Sequence, residues 1–156
     1  MSKGSTLLNS LVNNNDIEGH IIVNKDRTIT VPEKLKRIAM QGETNIETIT
    51  FDLPRYWDGY DLSTFAPGMA CRFSNGELES WGTPNKPAYI DANDSNLIHY
   101  DWSITQNFTR IAGPLEIQLT FSKQVPMMID NIESLVDVIW KTDICRDMYI
   151  SESLQY

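Results

Sequence analysis

The chain has 156 residues, 41% apolar and 22% charged, which is the size and balance of one globular domain. Its 13 Lys and Arg face 21 Asp and Glu, a formal charge of −8, and the densest basic cluster is only Lys34, Lys36 and Arg37, so a nucleic-acid role is not expected. Two cysteines without CxxC spacing indicate neither a disulfide framework nor a metal knuckle, and no apolar run approaches the roughly 20 residues that would span a bilayer.

Residues 1–19 differ in pattern from the rest of the chain. "TLLNSLV" places Leu7, Leu8, Leu11 and Val12 at a spacing suited to one or two helical turns, and "NNNDIEG" then breaks the pattern. An apolar patch too short to fold alone is either a docking arm or a frayed terminus. The opening carries too weak an apolar patch for a secretory signal.

From His20 onward the pattern is that of strands. "HIIVN" is a short apolar run, "KDR" a turn, and "TITV" a β-branched run ended by Pro32. "LKRIAM" comes next, and "NIETITFDL" alternates in polarity up to Pro54. "MACRFS", "NGE" and "LESWG" read as a hairpin. "PAYID" and "NLIHYDWSIT" flank "ANDSN", a cluster that favours a turn through side-chain to backbone hydrogen bonds. "GPLEIQLTFSK" puts Leu115, Ile117, Leu119 and Phe121 on one face and Glu116, Gln118 and Thr120 on the other, the clearest half-buried strand. "IESLVDVIWKT" fits a strand or a short helix, with its β-branched content and the alternation of Val136, Val138 and Trp140 favouring the strand, and "MYISESL" closes the chain. Nine or ten short strands with turn signals between them predict an all-β fold, an antiparallel β-sandwich over residues 20–156 behind the N-terminal extension.

The chemistry-bearing residues are sparse. His20 and His99 lie in strand-like runs, where a sheet-face position is expected rather than a catalytic base. No G-x-S-x-G motif and no Gly-rich phosphate loop occur, and His and Cys are too few and too far apart to suggest a metal site. "DANDSN" (residues 91–96) lacks the glycine and distal glutamate of a calcium loop and is read as an Asx-rich turn. The tripeptides at Asn93 and Asn107 match a glycosylation acceptor, but with no signal peptide the match is read as chance. Trp57, Trp81, Trp102 and Trp140 are expected in the core and rim of the fold. The stretch "FDLPRYWDGYDLSTF" is the one setting that resembles a ligand site. Tyr56, Trp57, Asp58 and Tyr60 could line a sugar-binding loop, and Asp58 with Asp61 is the one carboxylate pair set among aromatics. The competing reading has Asp58-Gly59 as a turn and the aromatics packed inward. No catalytic, cofactor-binding or metal-ligating residue is assigned.

The order of motifs resembles a structural module of tailed bacteriophages. Its carriers are "IIVNKDRTITVPEKLKRIAMQGETNIETITFDLPRYWDGYDLS", "YDWSITQNFTRIAGPLEIQLTFSK" and "VIWKTDICRDMYISESL", about residues 20–155. In upper-baseplate-like and fibre-like proteins an initial strand pair ends in proline, a PRYWDG-DLS-type segment comes next, then a Trp-led strand pair and a closing Trp-Thr strand. Here those elements stand at Pro32, Asn45 to Ser63, Trp102 to Phe121 and Trp140 to Leu154. The resemblance implies a β-sandwich of immunoglobulin-like character without catalysis: a virion adaptor or decoration subunit, made in the host bacterial cytoplasm, that attaches a head fibre or a tail or baseplate appendage. Implied partners are capsid, fibre or baseplate subunits and further copies of the chain, with Leu7, Leu8, Leu11 and Val12 as the partner-binding arm. The motif residues are aromatic and turn positions, so they identify an architecture better than a task.

Overall fold

The computed structural model describes residues 19–44, 48–82 and 87–154. The arm residues Leu7, Leu8, Leu11 and Val12 lie outside the described residues.

Thirteen strands, among the described residues, form two large sheets and one small hairpin. The first sheet runs β2 (Ile29–Thr30), β1 (His20–Val23), β4 (Thr48–Pro54), β10 (Leu97–Ser103) and β9 (Tyr89–Ile90). The second runs β3 (Arg37–Met40), β13 (Cys145–Ser151), β11 (Gly113–Ile129), β7 (Ala66–Arg72) and β8 (Leu78–Gly82), with β12 (Ile132–Lys141) also paired to β11. β5 (Tyr56–Trp57) and β6 (Tyr60–Asp61) make the small hairpin. The architecture is the expected all-β sandwich. Most pairings are antiparallel, but β1 runs parallel to β4 and β3 parallel to β13. One four-residue helix, α1 (Gln106–Thr109), has no signal in the strand-like pattern of this region.

Alternation builds the core. Ile49, Phe51 and Leu53 of β4 face inward beside Ile98, Tyr100 and Trp102 of β10 and Ile21 and Val23 of β1. They meet Met69 and Cys71 of β7, Leu115, Ile117, Leu119 and Phe121 of β11, and Met148 and Ile150 of β13 in one buried cluster. A strand period of two therefore sends Thr50, Asp52, His20 and His99 to the outer face of the first sheet. Their placement there creates a polar site.

Cys71 and Cys145 are buried thiols, each directly opposite Ile117 on the two strands flanking β11. Two strand spacings put them about 10 Å apart, beyond the roughly 7 Å between Cα atoms that a disulfide tolerates.

One end of the molecule is stapled by Arg27, which turns the chain between β1 and β2 with a positive φ of 75°. Asp26 accepts hydrogen bonds from the Thr28 N–H (3.0 Å) and hydroxyl (2.6 Å) and sets the turn. The Arg27 guanidinium stands over the rings of Trp140 (5.2 Å) and Trp57 (5.7 Å) and donates to the Lys141 carbonyl. Its own carbonyl accepts from Asp143 N–H at 3.0 Å. These contacts join the β1–β2 turn, the 54–57 corner and the end of β12, so an unfavourable backbone geometry is offset by links across both sheets.

Candidate functional site

The first candidate is the aromatic-acidic loop after β4. Asp58 (φ 49°) and Gly59 (φ 84°) both occupy the left-handed region, the two-residue turn that a tight hairpin requires and that Asp-Gly favours. The short hairpin leaves Trp57 only 9% exposed, with its ring 4.7 Å from that of Trp140 and its indole N–H donating to the Pro54 carbonyl at 2.7 Å. Trp57 is thus a packing residue and cannot offer its face to a sugar, which corrects its place in the candidate ligand loop. Tyr56 and Tyr60 remain exposed, Tyr56 beneath the Arg55 guanidinium and Tyr60 edge-on to Phe65.

The two carboxylates of this loop have unlike environments. Asp61 accepts two hydrogen bonds from Arg55, both at 3.0 Å, and others from the Ser63 N–H (3.0 Å) and hydroxyl (2.7 Å). Arg55 above all, then Ser63, outweigh partial burial and hold the Asp61 carboxyl down at about 2. An acid so firmly ionised, with its lone pairs occupied, is neither a proton donor nor a free nucleophile. Asp58 is exposed and stands 3.6 Å from Arg27. The pair is turn chemistry.

The second candidate is a polar ladder across three adjacent strands of the first sheet. Register sets Asp52 of β4 opposite Ile22 of β1 and opposite His99 of β10. Asp52 holds His20 Nδ1 at 2.9 Å through Oδ2 and His99 Nδ1 at 2.7 Å through Oδ1. The far nitrogen of His99, Nε2, lies 2.7 Å from Asp91 Oδ1. Asp91 is aimed there by its own turn, since its Oδ2 accepts from the N–H groups of Asn93 and Asp94, both at 2.9 Å. That is the Asx-rich turn expected of "DANDSN". Burial opposes charge on His99, but the hydrogen bonds to Asp91 and Asp52 outweigh it and raise its pKa above the ordinary histidine value. A carboxylate can only accept, so a ring with a carboxylate at each nitrogen carries both protons in this arrangement. Tyr89 leans over His99 with ring centroids 5.3 Å apart and donates to Asp101. Both histidines sit on a sheet face, as expected; that one aspartate joins them is not visible in the sequence.

The third candidate is a ribbon. Beyond Phe121 and Trp140, β11 and β12 continue to a turn at Asp130 (φ 51°) and Asn131 (φ 63°). From Lys123 to Val138 the two strands pair only with each other among the described residues. Seven residues at about 3.4 Å each carry the tip roughly 24 Å past the last pairing with β7. Val125, Met127, Ile129, Ile132, Val136 and Val138 line the face that continues the core, and the other carries Pro126, Met128, Leu135 and Ile139 interleaved with Gln124, Glu133 and Asp137. Met128, Ile132 and Leu135 are each about two-thirds exposed, so large apolar side chains meet solvent on both faces. Its base is fixed instead: Trp140 packs on Phe121, Trp57 and Arg27. The sequence holds a partial signal for this ribbon. Asp-Asn between two apolar runs permits a left-handed turn, but Pro126 argues against a strand continuing past Lys123. Proline is accepted there because β11 is an edge on one side beyond Ser122.

Of the two glycosylation-like tripeptides, that at Asn107 sits on α1 with Thr109 buried and its hydroxyl donating to the Glu43 carbonyl at 2.6 Å. Comparison with known proteins finds no protein-family model and no curated protein that matches this chain.

Proposed function

We propose that this protein is a non-enzymatic structural subunit of a bacteriophage particle, an adaptor or decoration protein that attaches a head fibre or a tail or baseplate appendage, and that it engages its neighbour through the β11–β12 ribbon. The observation that carries this reading is the ribbon's exposed apolar side chains on both faces and its two edges, which among the described residues pair with no further strand. An exposed apolar strand edge invites pairing with another chain, so a protein that keeps one stably has a partner for it. The fixed base presents that edge rigidly, which reduces the ordering cost of association. The order of motifs in the sequence supports the phage assignment, and the ring-like symmetry of such assemblies suits a repeated copy. The sugar-binding alternative loses its central aromatic, because Trp57 is packed against Trp140.

Mass spectrometry of purified particles tests the reading. The chain is expected at a fixed ratio to capsid and tail proteins. Its complete absence from the particles would contradict the proposal.

A further inference from the structure

We infer that His20, Asp52 and His99 form a site for a borderline divalent transition ion such as Zn²⁺, Co²⁺ or Ni²⁺. Nothing in the proposed assembly role requires it. The three residues stand on the adjacent strands β1, β4 and β10, His99 directly opposite Asp52 and His20 diagonal to it beside Thr50, so their backbones are fixed by the sheet rather than by a loop. One ligand atom from each lies within 4.8 Å of the others, and all three side chains are substantially buried: 29% exposed for His20, 17% for Asp52 and 11% for His99. Tetrahedral coordination at metal–ligand distances of about 2.0–2.2 Å needs ligand atoms about 3.3 Å apart. The present contacts of 2.7 and 2.9 Å to Asp52 and the overall spread bracket that value, so side-chain adjustments without backbone movement admit the ion.

Two imidazoles and one carboxylate form the mixed donor set that zinc-like ions take, and hard Ca²⁺ or Mg²⁺ would want more oxygens. Asp91 completes the case. Its Oδ1 sits 2.7 Å from His99 Nε2, so it accepts the Nε2–H, leaves Nδ1 as the ligating atom and orients the ring. A metal-bound histidine is ordinarily braced by a carboxylate in this way, and Asp91 is itself braced by its turn. On binding, His99 releases its Nδ1 proton to solvent and keeps the Nε2–H held by Asp91, while His20 coordinates as the neutral tautomer with its proton on Nε2; each Nδ1 lone pair then goes to the ion. Three protein ligands leave the fourth position to water.

Calorimetric titration of the full chain with ZnCl₂ at neutral pH, and with CoCl₂ followed by visible absorption, tests the assignment. One equivalent per chain is expected, with Co²⁺ bands of a tetrahedral site. Weakening is expected to be at least tenfold in both His20→Gln and His99→Gln, and about 10- to 100-fold in Asp91→Asn. Folding of each variant is checked by circular dichroism. As a readout that needs no variant, the chain's two histidines are followed by ¹⁵N NMR; Zn²⁺ is expected to shift Nδ1 of both rings. Absence of one-to-one binding at 100-fold excess of the ion, or binding that leaves either Nδ1 resonance unmoved, would overturn the proposal. Affinity unchanged in the two folded His variants would do the same.

Discussion

Trp57 and Tyr56 are neighbours with opposite fates, and the difference decides what their loop can do. Trp57 is buried against Trp140 with its indole N–H satisfied, whereas Tyr56 is about half exposed beneath Arg55. Trp57→Ala is expected to cost about 3 kcal/mol by loss of burial and creation of a cavity. Tyr56→Ala should stay within about 0.5 kcal/mol. Urea denaturation of the two variants measures both, and equal costs would place Trp57 outside the core. Asp61 carries a second prediction. Its carboxyl is held at about 2 against an ordinary 3.8, first by Arg55. A group whose folded pKa is depressed adds stability that is present above its unfolded pKa and is lost as pH falls toward the folded one. Stability should therefore drop between about pH 4 and pH 2, and Asp61→Asn should flatten that limb while lowering stability at neutral pH. An unchanged acid limb in Asp61→Asn would show that Arg55 and Ser63 do not hold this carboxyl in solution.

At the scale of elements, the ribbon divides into a base that stabilises and a tip that does not. Phe121 is fully buried and packs edge-on to Trp140, so Phe121→Ala should cost about 3–5 kcal/mol. Met128 and Leu135 are about two-thirds exposed, and the double variant Met128→Asp/Leu135→Asp should leave the unfolding midpoint nearly unchanged. Thermal melts of the two variants separate base from tip; a large loss from the tip variant would mean that its apolar side chains already pack within the protomer. The same element shows what the sequence discloses. Strict alternation from Leu115 to Phe121 announces β11 because one face there meets a core and the other meets water. Past Lys123 apolar residues occupy five consecutive positions, Val125 to Ile129, with Pro126 among them, so the period-two signal vanishes although the strand continues to Ile129. Where apolar side chains stand at consecutive positions, the pattern that marks a half-buried strand is no longer written.

Over the whole molecule, the sandwich is legible in the sequence and its long-range consequences are not. Turn chemistry at Asp58-Gly59 and at Asp91 is local, and the residues that make each turn stand side by side in the chain. The parallel pairings of β1 with β4 and of β3 with β13 join segments far apart in sequence, and no local pattern specifies them. The same limit hides the His20–Asp52–His99 ladder, because three residues on separate strands meet only through register. The sandwich core, the Arg27 staple and the aromatic base hold one projecting ribbon in place. If the proposed assembly role holds, altering the ribbon tip alone should abolish attachment but not folding. The most direct measurement is quantitative mass spectrometry of particles assembled with the Met128→Asp/Leu135→Asp variant, its fold checked by thermal melt. The account predicts a folded variant missing from the particles, at a small fraction of the wild-type ratio to capsid protein. Incorporation of the folded variant at the wild-type ratio would contradict it.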